Sequence, residues 1–160
     1  MKMDHSVETG FSFGLTSAII TTLGLMVGLY AGTHSRLAVM GGILTIAIAD
    51  AFSDSLGIHI SEEAENVHKP RDIWISTLST FVTKFAFTMT FVVPVLTMEL
   101  GTAVLASIVW GLLLLAALSI MLARKQKAKM LSVLGEHLLI AVAVILITNY
   151  VGNWISVAFV

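Results

Sequence analysis

The chain has 160 residues, of which 57% are hydrophobic and 12% charged, with a mean hydropathy of +0.94 and a formal net charge of −1. A water-soluble domain of this length needs far more charged surface, and no basic stripe with interleaved aromatics marks a nucleic-acid partner. The absence of cysteine excludes disulfides and thiolate metal sites.

In chain order, the first ten residues are polar, carrying Asp4, His5 and Glu8, and lack the basic start of a cleaved signal peptide. The apolar stretch at about 11–31 is too long for a signal-peptide core and is predicted to be a membrane span. Within it Gly24, Gly28 and Gly32 recur every four residues, so they share a helix face that another backbone can approach closely. That face serves either helix packing within the chain or the seam of a homodimer. Gly10-Phe11-Ser12-Phe13-Gly14 matches the G-x-S-x-G nucleophile elbow. The elbow requires a strand before its serine, whereas here the motif opens an apolar helix. No histidine stands at matching depth, so no enzymatic activity is expected.

A second span is predicted over about 37–60. It carries Asp50 and Asp54, four residues apart and so on one side of the helix, with Ser53 beside them. A carboxylate at membrane depth is costly unless it is paired or faces a polar cavity. The polar segment 61–72 is predicted as a short cytoplasmic loop. Its residues Glu62 and Glu65, with His59 just before them, form an acidic, histidine-bearing run of the kind that suits Fe, Mn or Zn; a solvated helix end is the plainer reading.

A third span, about 73–96, contains Lys84. Spans 2 and 3 run in opposite directions, and counting residues from their shared end places Lys84 at about the depth of Asp50. The two are expected either to form an ion pair that orders the bundle or to belong to a cation or proton pathway. Spans 4 and 5 are predicted over about 102–123 and 131–154, joined by the basic loop Arg124 to Lys129. The spans are continuously apolar, so helices rather than strands satisfy their backbones in lipid. With the N-terminus cytoplasmic, that side receives Lys2, Lys69, Arg71, Arg124, Lys125, Lys127 and Lys129, and the other only Arg36. This asymmetry predicts the N-terminus inside and the C-terminus outside. The fold class is therefore all-α: a single polytopic domain of five transmembrane helices in a lipid bilayer.

The order of these features resembles the vacuolar iron transporter family, the plant vacuolar and yeast-type iron and manganese transporters. The resemblance rests on Gly10-Phe11-Ser12-Phe13-Gly14-Leu15-Thr16, on Ala49 to Gly57 with the acidic run Ser61 to Glu65, and on Thr148-Asn149-Tyr150-Val151-Gly152. It implies a membrane-embedded homodimer that moves Fe²⁺ or Mn²⁺ out of the cytoplasm in exchange for protons, with no permanently bound cofactor. On this chain's own residues, the pathway is expected at Asp50, Ser53, Asp54 and Lys84, with Asp50 and Asp54 as metal ligands within the membrane and His59, Glu62 and Glu65 collecting the ion at the cytoplasmic mouth. The host would be the cell membrane of a prokaryote or an organelle membrane. The chain departs from the family where Phe13 replaces a first-helix aspartate and Ile46 falls near a second-helix acid. Lys84 has no counterpart among the family's ligands. These departures support a second expectation: a structural or regulatory membrane subunit that keeps the scaffold without metal transport.

Overall fold

The computed structural model describes residues 5–159. Lys2, counted above toward the orientation, lies outside them. The described chain is helical from end to end: α1 His5–Thr33, α2 Arg36–Glu65, α3 Pro70–Thr90, α4 Val92–Thr97, α5 Leu100–Gln126 and α6 Met130–Ala158. Five helical segments are long and apolar enough to cross a membrane, with α3 and α4 together forming the third. This is the build of an integral, multi-pass membrane protein.

Two boundaries differ from the sequence reading. Helix α2 runs on to Glu65, so the expected 61–72 loop shrinks to residues 66–69. Asn66 closes the helix in the left-handed conformation (φ 52°), which asparagine tolerates well, and Pro70 opens α3 at its first turn. The third span is also broken rather than continuous. Pro94 lacks an N–H and its ring crowds the carbonyl of Thr90, so α3 stops there and α4 begins after a single turn residue, Phe91. Arg36, at the start of α2, donates to the carbonyls of Val95 (2.5 Å) and Met98 (2.7 Å) and so ties α4 down. Arg36→Ala should therefore loosen α4 by about 1.5–3 kcal/mol, the value of a hydrogen bond from a charged donor. Hydrogen exchange should speed up at the amides of residues 92–98 and leave α1 unchanged.

Helix α1 is the centre of the bundle, packing against α2, α3, α5 and α6. The apolar core gathers Leu15, Ile19, Leu23 and Met26 of α1 with Ile43 of α2, Phe91 and Val95 at the α3–α4 break, and Leu115 of α5. The α1–α3 contact has a different character. Helix α3 presents a buried ridge of Ser76, Thr80, Thr83, Lys84 and Thr88 to α1. Gly10 and Gly14 let the two backbones close up; a Cβ on Gly10 would stand 2.3 Å from the Ser76 carbonyl. Small residues at a close crossing are how membrane helices associate when lipid is as apolar as their own side chains.

Gly24, Gly28 and Gly32 face α6 of the same chain, at Val144, Thr148 and Gly152. Of the two uses expected for that stripe, packing within the chain is the one observed. Helix α6 otherwise buries little, only Ala141 and Gly152, and turns Leu139, Leu146, Ile147 and Tyr150 outward.

Candidate functional site

The charged residues inside the bundle meet at one point. Lys84 is completely buried, and its Nζ contacts three oxygens. It donates to the Asp54 carboxylate and to Ser17 Oγ (2.7 Å), and it forms an ion pair with Asp50 Oδ2 at 2.6 Å. Helices α1, α2 and α3 thus each contribute to the cluster. The pairing of Asp50 with Lys84 agrees with their matched depth, and Asp54 joins because it lies one turn further along the same face. Ser17 was not singled out from the sequence. Its signal was its position, three residues beyond Gly14 and seven beyond Gly10, on the face that packs on α3.

The two carboxylates are not equivalent. Asp54 is directly hydrogen-bonded to the ammonium, and its side chain is 18% exposed. Asp50 makes only the charge contact, and its side chain is 29% exposed. The formal charges of two aspartates and one lysine sum to −1, so one negative charge is uncompensated, and Asp50 is the more accessible carrier. In a medium of low polarity such a charge is costly unless a proton, a cation or water meets it.

Asp50 borders an open groove. Helices α2 and α6 each pack along α1 and barely touch one another, which leaves a strip of α1 as the floor between them. The cavity there measures about 630 Å³ and lies near the middle of all three helices. Its floor includes Ile20, Gly24 and Leu25, and Ser53 stands beside Asp50 on the α2 wall. Ile46, one turn before Asp50, lines the same groove. Phe13 is 42% exposed and takes no part in it.

The remaining expected ligands are held elsewhere. His59 Nδ1 is 3.0 Å from Thr77 Oγ1, and its ring lies against Trp74, on the wall of a second, aromatic groove between α2 and α3 that Ser53 also borders. Glu62 is buried and accepts a hydrogen bond from Ser76 Oγ, joining the end of α2 to the start of α3. Glu65 is exposed and pairs with His68 at 3.3 Å. The three residues expected at the cytoplasmic mouth, His59, Glu62 and Glu65, therefore do not converge, and Asp50 and Asp54 stand apart from them. The reason is geometric: α2 is one continuous helix, and fifteen residues of rise separate Asp50 from Glu65 by roughly 22 Å. Among the described residues no group of three or more His, Asp or Glu is placed to hold a metal ion. Ser12 of the G-x-S-x-G motif sits within α1, with its buried hydroxyl unpartnered among the described residues.

Compared with known protein families, with curated proteins and with solved structures, the chain matches none.

Proposed function

We propose that this chain is a membrane transport protein, not an enzyme, that moves a cation through exchange at the Asp50–Asp54–Lys84 cluster. One observation carries the reading: the Asp50–Asp54–Lys84 cluster, with a formal charge of −1, meets an open groove at mid-depth in the bundle through Asp50. Ionisable groups inside a membrane protein are expensive to keep and characteristically mark ion or proton pathways. Lys84 occupies the place between two acids that a transported cation would take, so uptake of a cation or a proton would trade against the ammonium's hold on Asp50. The resemblance to vacuolar iron transporters makes Fe²⁺ and Mn²⁺ the first cargoes to test, a homodimer the first assembly to test, and proton exchange the first coupling. The excess of Lys and Arg on one side supports a cytoplasmic N-terminus.

The test is Mn²⁺ and proton flux in proteoliposomes, read by dyes trapped inside. Asp54→Asn and Asp50→Asn should each lower flux at least tenfold while the purified proteins keep their helical content. Unchanged flux in either variant removes that aspartate from the pathway.

A second reading has its own support. Lys84 is fully buried and surrounded by three oxygens, which is how an ammonium is held when its task is to fix the packing of three helices. On that reading the chain is a structural or regulatory subunit. The wild-type protein would then show no flux, and Mn²⁺ would not raise its melting temperature.

A further inference from the structure

The groove between α1, α2 and α6 presents one accessible charge in otherwise apolar surroundings. An inorganic cation stripped of water needs several oxygen ligands around it. Beside Asp50 the lining offers three neutral hydroxyls, Thr21, Ser53 and Thr148, the first and last bonded at 2.8 Å to a carbonyl four residues back on their own helix, and no second carboxylate that would balance a divalent ion. The other lining groups, among them Ile20, Leu25, Ile46 and Val144, are apolar. The open groove, at about 630 Å³, is far roomier than a bare ion needs. The groove also opens sideways between α2 and α6, toward the region that the outward faces of both helices assign to lipid.

We propose that this groove binds a lipophilic organic cation, a quaternary ammonium or phosphonium carrying apolar substituents, with its charge at Asp50 and its substituents on the walls of α1, α2 and α6. The inference builds on the cation-exchange reading and names the ligand class of the same site. A single positive charge matches the single uncompensated negative charge. Asp50 can receive it while Asp54 and Ser17 keep Lys84 in place.

The test is binding of radiolabelled tetraphenylphosphonium to the purified protein in lipid nanodiscs, measured by equilibrium dialysis against empty nanodiscs. The wild type should bind it saturably, and the tetraphenylborate anion, of similar size and shape, should not compete. Asp50→Asn should lower affinity at least tenfold. It should keep the wild-type melting temperature within a few degrees, because Asp54 still holds Lys84 and the cluster becomes neutral. Ile46→Trp, which fills the groove and leaves Asp50 intact, should also abolish binding. The proposal is overturned if the wild type binds no more than empty nanodiscs do, as when a lipid chain or a second copy fills the groove. It is equally overturned if binding survives both substitutions. Binding is read without flux, so the two readings fail separately. Tetraphenylphosphonium binding without flux of any cation sinks transport alone, and Mn²⁺ flux without tetraphenylphosphonium binding sinks this inference alone.

Discussion

Replacing Lys84 with Met should destabilise the protein by about 3–5 kcal/mol, the cost of removing one partner from a buried ion pair. Met matches the apolar stem of Lys, so the substitution removes the charge with little change in volume. Asp50 and Asp54 would then face each other across one helical turn with a formal charge of −2 and no cation between them. Both retain some exposure, which places the effect toward the lower end of the range. Lys84→Arg should not restore stability, because the larger planar guanidinium has no room at a fully buried position. Adding Asp50→Asn and Asp54→Asn to Lys84→Met should recover most of the loss, since no ionised group remains. Thermal melting of the four proteins in one detergent measures this. A loss below about 1 kcal/mol in Lys84→Met would show that water in the groove already solvates the carboxylates and that the ammonium is not needed for the fold.

Gly152→Ala should cost about 1–3 kcal/mol, the usual penalty for forcing extra volume into a well-packed contact. A Cβ at Gly152 would stand 2.3 Å from the Gly28 carbonyl oxygen and 3.0 Å from the Gly32 nitrogen. Both obstacles are backbone, so no side chain can rotate away and α1 must separate from α6. Gly10→Ala meets the same kind of obstacle at the Ser76 carbonyl and should prise α1 from α3. Gly135 supplies the control: it lies in α6 with nothing within 4 Å of its Cβ position. There alanine should stabilise by about 0.5–1 kcal/mol through helix propensity alone. Equal melting temperatures for Gly152→Ala and Gly135→Ala would show that the α1–α6 approach is not tight.

Much of the architecture was legible in the sequence because lipid leaves the backbone few choices. A continuous apolar stretch of about twenty residues must be a helix, so the five spans followed from length alone. Meeting points between helices were harder to read. Asp50 with Lys84 was accessible by counting residues from a shared helical end, because rise per residue is constant. Asp54 came with it through four-residue spacing. Ser17 did not, because a serine in an apolar helix most often bonds its own backbone, and only the Gly10–Gly14 face marks it as turned toward α3. The break at Phe91 was marked by Pro94, an apolar residue that blends into hydropathy. The scattering of His59, Glu62 and Glu65 was hidden for a different reason. Spacing along one helix reveals a shared face, but it does not reveal which neighbour has already claimed each side chain, and Thr77, Ser76 and His68 claim these three.

The shallow seating of α6 bears on how the protein is assembled. Helices α1, α2 and α3 supply every residue of the Lys84 cluster and, with α4 and α5, nearly all of the apolar core, so Lys84 can be paired before the fifth span is inserted. What the fifth span adds is the far wall of the groove and a cover for Gly24, Gly28 and Gly32. During synthesis there is then an interval in which α1 shows lipid a strip of nearly bare backbone beside a half-walled acidic cleft. A membrane chaperone, or the same strip on another nascent copy, would find its opening in that interval.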